Sequence, residues 1–268
     1  MYFCINQMKY WYEVQGDGDP LVLLHGFTGS RNTWKPFIQS WKNNWTCITI
    51  DLPGHGKTTG SVSSMEACCV DLHALFNYLK LNKFHLLGYS MGGRTAITYA
   101  MLYPEMISSL LLESTSPGLK TAEERRQRKE KDNYLAVQIE EKGIDWFVNY
   151  WEKIPLFQSQ QKLPNSQQQI IREERLSQHA SGLADSLRTM GTGVQRSWWE
   201  ELSSFSKPVL LIAGENDQKY CKLMKVMDKH FEYACLQIIS EAGHAIHVEK
   251  PKIFGKIVNE YITGTKLA

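Results

Sequence analysis

Short, unbroken apolar runs alternate along this chain with longer stretches of helical periodicity. The runs predict buried strands at residues 21–24, 46–50, 84–87, 109–113, 209–213 and 236–239. Because the runs contain no regular polar alternation, we expect helices to cover both faces of each strand. Strands that alternate with helices in this way indicate an α/β fold, with a mostly parallel sheet flanked by helices.

Residues 116–200 follow a different pattern, since they are polar and helical and contain no clear strand. Seven of the chain's nine arginines lie in this stretch: Arg125, Arg126, Arg128, Arg172, Arg175, Arg188 and Arg196. We therefore predict a helical lid at 116–200, inserted into an α/β core formed by 1–115 and 201–268. Such an insertion lies over the carboxyl ends of the strands, where α/β folds bind ligands.

Composition narrows the range of partners. A formal net charge of +2 over 268 residues argues against a nucleic-acid or membrane-surface protein. No run of eighteen apolar residues predicts a membrane span, and polar residues interrupt the first fourteen positions, unlike a signal peptide. The six cysteines show neither C-x-x-C pairs nor zinc-ligand spacing. We expect a cytoplasmic protein without a metal site, while its oligomeric state stays open.

The most specific motif is Gly88-Tyr89-Ser90-Met91-Gly92, which follows one predicted strand and precedes a helical run. This is the G-x-S-x-G nucleophile elbow in its strand–turn–helix context. The turn is sharp, and its crowded backbone requires glycines. Ser90 is therefore the predicted reactive hydroxyl, and a serine hydroxyl needs a histidine to accept its proton.

The histidine and its orienting carboxylate are expected later in the chain, in the order Ser, Asp or Glu, His. Asp217 follows the predicted strand at 209–213, and His244 follows the next one. Both lie at the sheet edge that carries Ser90. Glu215 and His247 are nearby alternatives, but loop position favours Asp217 and His244.

Two backbone amides are candidates for an oxyanion hole, those of Phe27, after the first predicted strand, and of Met91, after Ser90. His25 is expected to shape the first of these loops through hydrogen bonds. The loop at 51–56 is expected to be architectural, with His55 near the mouth of the pocket.

These motifs resemble the α/β-hydrolase superfamily. A closer resemblance is to the 2-succinyl-6-hydroxy-2,4-cyclohexadiene-1-carboxylate synthases of menaquinone biosynthesis, and it extends over nearly the whole chain. It is carried by residues 113–119, by Glu123-Glu124-Arg125 and Arg128, by Trp151 with Pro155-Leu156-Phe157, and by Arg175.

The resemblance implies an elimination of pyruvate without a cofactor. In that reaction His244 activates Ser90 as a base, and the Phe27 and Met91 amides stabilise an enolate. The substrate would be a small molecule with three carboxylates, which guanidinium groups bind in a bidentate manner. Arg94 shares a helix face with Ser90, and the resemblance assigns Arg128 and Arg175 to the lid side of the pocket. Tyr89 and Trp151 are candidate pocket residues.

Two other functions remain open at this stage. A serine hydrolase acting on an acidic ester or diketone would use the same three residues, so they do not decide the reaction. A catalytically inactive binding protein would usually lack one of them, whereas all three are present here.

Overall fold

Eight strands form one sheet in the computed structural model of the chain, which describes residues 1–265. The strands are β1 (Tyr2–Ile5), β2 (Met8–Gln15), β3 (Asp19–Leu24), β4 (Trp45–Ile50), β5 (Phe84–Tyr89), β6 (Ile107–Glu113), β7 (Val209–Gly214) and β8 (Ala234–Ile239). Their order is β1-β2-β4-β3-β5-β6-β7-β8. The β1–β2 and β2–β4 pairs are antiparallel and the others are parallel. The predicted α/β fold with a mostly parallel sheet is confirmed.

Helices cover both faces of this sheet. Over residues 1–265 the α-helices are α1 (Lys35–Trp41), α2 (Met65–Tyr78), α3 (Met91–Leu102), α4 (Ala122–Trp151), α5 (Asn165–Leu176), α6 (Ala180–Met190), α7 (Gln218–Asp228), α8 (Ile246–Glu249) and α9 (Pro251–Thr265). Short 3₁₀ helices occupy Arg31–Trp34, Pro104–Met106, Pro155–Lys162 and Leu202–Ser204. Among residues 1–265, no helix combines the length and the apolar composition that a membrane span requires.

Alternate residues of β3 enter two separate hydrophobic cores. Val22 and Leu24 pack on the face that α2, α3 and α7 cover, whereas Leu21 and Leu23 pack on the face that α1 and α9 cover. Successive side chains of a strand point to opposite faces, so a strand covered on both faces needs apolar residues at every position. This burial explains the unbroken apolar runs.

The hairpin of β1 and β2 is absent from the strands that the apolar runs predict. In β2, Met8, Tyr10 and Tyr12 are buried while Lys9 is exposed. An antiparallel strand near the edge of a sheet is covered on one face only, so apolar and polar residues alternate along it and no apolar run forms. The other six strands, β3 to β8, all begin and end within two residues of the predicted runs.

A helical insertion between β6 and β7 carries α4, α5 and α6. Helix α4 begins with a capping box between Thr121 and Glu124, and it kinks at Gly143, where φ is 79°. Apolar side chains of α4 and α6 form a third core, and Phe27 of the loop after β3 packs against it. The insertion therefore lies over the loop that was predicted to carry an oxyanion-hole amide. The domain boundaries at 115/116 and 200/201 stay a prediction.

Candidate active site

Ser90, His244 and Asp217 meet at the carboxyl ends of the parallel strands. The Oγ of Ser90 lies 3.1 Å from Nε2 of His244, and Nδ1 of His244 lies 2.6 Å from Oδ2 of Asp217. His244 and Asp217 are buried. A hydrogen on Nδ1 that is donated to Asp217 leaves the lone pair of Nε2 facing the Ser90 hydroxyl. The arrangement can therefore take a proton from Ser90.

The backbone at Ser90 is strained, with φ of 50° and ψ of −107°. Its N–H donates to the carbonyl oxygen of Glu113 over 2.9 Å, which ties the turn to the end of β6. A Cβ at Gly88 would lie 2.4 Å from the Gly92 oxygen, and one at Gly92 would lie 2.2 Å from the Leu24 oxygen. Only glycine fits at these two positions of the elbow.

Asp217 caps the N-terminus of α7, which fixes its carboxylate. Its Oδ1 accepts from the Tyr220 N–H over 3.2 Å, while its Oδ2 faces His244. Glu215, the alternative carboxylate, is exposed, and it accepts a hydrogen bond from the N–H of Glu241. The structure brings Asp217, and not Glu215, to the histidine.

The amides of Phe27 and Met91 donate no hydrogen bond within residues 1–265. Met91 is the first residue of α3, and the first N–H groups of a helix have no acceptor within it. Phe27 lies in a turn that the Gly29 N–H closes onto the Gly26 oxygen at 3.0 Å. Both amides are thus free to bind an oxyanion.

His25 holds the turn of Phe27 in place. Its Nδ1 donates to the Gly26 oxygen over 2.8 Å, and its Nε2 accepts from the Leu52 N–H over 2.9 Å. One ring nitrogen must donate and the other accept, so the ring is neutral. Burial lowers the pKa of His25 to about 4, in agreement with that state. These contacts agree with the loop-shaping role expected for His25.

His55 lies deeper than the sequence indicated. It was expected near the pocket mouth, but it is 1% exposed, with its ring 5.5 Å from that of Phe27. The rest of the 51–56 loop is architectural, because the carboxylate of Asp51 accepts hydrogen bonds from Arg31 N, Arg31 Nη1 and Lys57 N.

Arg94 of α3 is buried, and its Nη1 donates to the Met190 oxygen over 2.7 Å and to Oε1 of Gln195 over 3.3 Å. Burial lowers its pKa to about 10, so the guanidinium is charged at neutral pH. Arg128 of α4 donates through Nε to Oδ1 of Asp132 over 2.7 Å. That contact orients the guanidinium of Arg128 and uses one of its hydrogen-bond donors, Nε.

Arg175 and Tyr89 line one cavity of about 310 Å³, which reaches the oxyanion turn. The Arg175 guanidinium lies 4.8 Å from the centre of the Phe157 ring, and its Nη2 donates to Oε1 of Gln160 over 2.9 Å. Trp151 does not line this cavity. Its ring lies 5.4 Å from Phe27, and its indole Nε1 is buried without a hydrogen-bond partner among residues 1–265.

Several residues near the site were missed by the sequence reasoning. The Tyr220 ring lies 4.6 Å and the Phe157 ring 6.0 Å from the ring of His244. Glu249 accepts hydrogen bonds from the Gly243 N–H over 2.7 Å and from the Ser159 hydroxyl over 3.0 Å, so it links the lid to the turn before His244. Phe157 belongs to a stretch that carried the family resemblance. That resemblance was the one sequence signal that could have placed Phe157 near the site.

No group of three or more His, Cys, Asp and Glu side chains in the described range is arranged to hold a metal ion. The chemistry that the geometry offers is acid–base or nucleophilic chemistry at Ser90, with an anion-stabilising pair of amides beside it. The strained serine between β5 and α3, with its partners in the order Ser, Asp, His, defines the class of α/β-hydrolase-fold proteins. The family model described as alpha/beta hydrolase fold matches residues 19–251.

A relative from Bacillus subtilis (strain 168), provisionally named 2-succinyl-6-hydroxy-2,4-cyclohexadiene-1-carboxylate synthase, is 45% identical over 94% of each chain. The solved structure of MenH from S. aureus is 36% identical, with a TM-score of 0.91 over 98% of this chain and 100% of that one. A malate-bound thermophilic esterase from Thermogutta terrifontis is 26% identical, with a TM-score of 0.87 over 96% and 94%. The chain belongs to the α/β-hydrolase-fold family and, within it, to the family of these synthases.

Proposed function

We propose that this protein is a carbon–oxygen lyase of menaquinone biosynthesis. It eliminates pyruvate from 2-succinyl-5-enolpyruvyl-6-hydroxy-3-cyclohexene-1-carboxylate and forms 2-succinyl-6-hydroxy-2,4-cyclohexadiene-1-carboxylate. The observation that carries the proposal is the identity to the Bacillus subtilis relative. It extends over nearly all of both chains, so it includes the helical insertion as well as the core motifs that all α/β hydrolases share.

Ser90 acts in this reaction as a base. His244 takes the hydroxyl proton, and Ser90 Oγ removes a proton from the ring carbon next to the succinyl ketone. The electron pair moves onto the ketone oxygen, where the amides of Phe27 and Met91 stabilise the negative charge. As this enolate collapses, the ring double bond shifts and the C–O bond to the enolpyruvyl group breaks. Pyruvate leaves as its enolate and receives the proton held by His244.

The arginines near the site give the substrate's three carboxylates their partners. Arg94 and Arg175 are buried, and a buried charge without a carboxylate partner is costly unless it has a ligand to bind. Arg128 adds a half-exposed guanidinium whose Nη groups are free of the contact to Asp132. Tyr89 lines the proposed pocket beside Arg175, and Trp151 contributes by packing against Phe27 of the oxyanion turn. This set of charges supports the proposal of a small anionic substrate.

The test is direct measurement of both products. Purified protein is mixed with the enolpyruvyl cyclohexene, and diene absorbance and released pyruvate are recorded together, with Ser90→Ala as the control. We expect equimolar diene and pyruvate from the wild type and almost none from the variant. Absence of diene with a folded wild-type protein would overturn the proposal.

The alternative function is hydrolysis of an acidic ester or diketone. The likeness to the esterase from Thermogutta terrifontis favours this reading, because it covers nearly the whole chain. In a hydrolase Ser90 would attack a carbonyl carbon and form an acyl-enzyme. Turnover of dicarboxylate monoesters through Ser90, without diene formation, would assign this function.

The cellular context and the division of the chain belong to the same proposal. A cytoplasmic location is supported by the ordinary charge balance and by cysteines without disulfide spacing. The division into a core of 1–115 and 201–268 with a lid of 116–200 is supported by the separate apolar core of α4 and α6.

A further inference from the structure

The arginines of this chain differ in the partners that hold them. Within residues 1–265, ion pairs to carboxylates are formed by Arg31, Arg126, Arg128, Arg172, Arg188 and Arg196. Arg125 donates to the carbonyl oxygens of Leu119 and Lys120. The remaining two, Arg94 and Arg175, are the most deeply buried, and neither has a carboxylate within ion-pair distance in this part of the chain.

Each of these two arginines is held by a buried glutamine. Nη2 of Arg175 donates to Oε1 of Gln160 over 2.9 Å, and Nη1 of Arg94 donates to Oε1 of Gln195 over 3.3 Å. Gln160 is 7% exposed and Gln195 is 1% exposed. Gln195 also has a buried Nε2 that donates to no acceptor among residues 1–265. The two glutamines come from different parts of the insertion, the Pro155–Lys162 helix and the segment after α6.

An amide oxygen and a carboxylate oxygen accept the same hydrogen bond, but only the carboxylate cancels the positive charge. A glutamate at either position would form a buried ion pair and would compete with any anionic ligand for the guanidinium. A glutamine fixes the orientation of the guanidinium and leaves its charge without a directly paired carboxylate. Glu152 and Glu174 act on Arg175, and Asp132 acts on Arg94, only from beyond ion-pair distance. Burial lowers the pKa of both arginines, which indicates that the folded protein bears a cost for keeping them charged.

We propose that Gln160 and Gln195 are positioning residues that hold Arg175 and Arg94 ready for substrate carboxylates without neutralising them, and that Nε2 of Gln195 adds a donor for the carboxylate at Arg94. Their neutrality therefore sets the selectivity of the site for a polyanionic substrate. This inference rests on the proposed function, since it takes the carboxylates of that substrate as the ligands.

The experiment compares Gln160→Glu and Gln195→Glu with the wild type in the pyruvate-release assay, together with thermal melting of the ligand-free proteins. Each variant is expected to raise KM roughly 10- to 100-fold, the range of a charge-assisted hydrogen bond, with kcat changing much less. Its melting temperature is expected to stay equal or rise, because the new carboxylate pairs with a buried arginine. Gln161→Glu, an exposed neighbour with the same charge change, is the matched control and keeps the wild-type KM.

Gln160→Met and Gln195→Met remove the acceptor without adding charge, and we expect a smaller rise in KM than for the glutamates. Three results would overturn the inference. A glutamate variant could fail to fold, or it could keep KM within about twofold of the wild type. It could also show the same KM as the methionine variant at that position. If the wild-type protein itself releases no pyruvate, the proposed function fails instead, so the two failures are distinguishable.

Discussion

His247 is bound by Glu113 at the end of β6. The N–H and Nδ1 of His247 lie 3.0 and 2.9 Å from Oε1 of Glu113, and both side chains are buried. The carboxylate of Glu113 thus holds His247 by hydrogen bonds. His244, three residues earlier, is the histidine that contacts Ser90. The pair shows why two histidines so close in sequence have different roles.

This contact predicts different effects of the two histidines on kcat. His247→Ala removes the imidazole that binds a buried carboxylate, while the backbone N–H bond to Glu113 stays, so we expect the free energy of unfolding to fall by roughly 1–3 kcal/mol, with little change in kcat. His244→Ala also takes an imidazole from a buried carboxylate, Asp217, so its loss of stability should be similar, but kcat is expected to fall roughly 10²- to 10⁴-fold. Urea unfolding and steady-state pyruvate release on the matched pair test this. Equal losses of kcat would contradict it.

The strained backbone of Ser90 predicts a difference between two inactive variants. Both Ser90→Ala and Ser90→Gly are expected to lose pyruvate release by roughly 10²-fold or more. Because φ at this position is 50°, glycine should relieve strain that alanine keeps. The free energy of unfolding of the Gly variant should therefore exceed that of the Ala variant by about 1 kcal/mol. A Gly variant less stable than the Ala variant would show that the turn stores no strain.

Removal of Arg94 is expected to weaken substrate binding without weakening the fold. Arg94→Ala should raise KM roughly 10- to 100-fold through loss of charge-assisted hydrogen bonds, while its unfolding free energy stays equal or rises, because a buried unpaired charge is lost. Arg126→Ala serves as control, since Arg126 is exposed and paired with Glu123 and Glu130. Parallel shifts in both variants would mean that Arg94 has no specific contact with the substrate.

Two buried histidines predict a loss of stability in mild acid. Burial lowers the pKa of His25 to about 4, and burial together with His25 lowers that of His55 to about 3. An unfolded histidine has a pKa near 6.5. Between these values the unfolded chain binds more protons than the folded one, so this stabilisation is complete above pH 6.5 and decreases as the pH falls. For His25 the loss approaches about 3 kcal/mol near pH 4.

Urea unfolding of the wild type and His25→Asn between pH 7 and pH 4.5 measures this effect, because the difference between the two proteins isolates His25 from other titrating groups. The wild type should lose stability more steeply than the variant as the pH falls. His230→Asn, an exposed histidine, is the control and should follow the wild type. Identical slopes for wild type and His25→Asn would contradict the assignment.

Gly92→Ala tests the crowding of the elbow. The added Cβ would lie 2.2 Å from the Leu24 oxygen and 2.5 Å from the His25 oxygen, both backbone atoms that cannot rotate away. We expect a loss of more than roughly 3 kcal/mol or failure to fold. Gly264→Ala in α9, with nothing within 4 Å, should be neutral or stabilising by up to about 1 kcal/mol. Similar melting temperatures for both variants would rule out the clash.

The sequence by itself determined the features that depend on a few neighbouring residues. Strands buried on both faces appear as unbroken apolar runs, and the glycines at 88 and 92 mark a turn that no side chain allows. These signals arise within one element, from strand periodicity and local sterics, so the α/β fold, the elbow and Ser90 were predictable. The β1–β2 hairpin was missed because a strand covered on one face gives an alternating pattern instead of a run.

Tertiary structure alone decided which side chains meet. Asp217, and not Glu215, contacts His244. Glu113 binds His247 from 134 positions away in the sequence. Gln195 accepts a hydrogen bond from Arg94 from 101 positions away. The partner of a charged group depends on the packing of distant elements and on how far burial removes that group from water. No local pattern records either quantity, so the sequence indicates that arginines are present but not which of them lack a directly paired carboxylate.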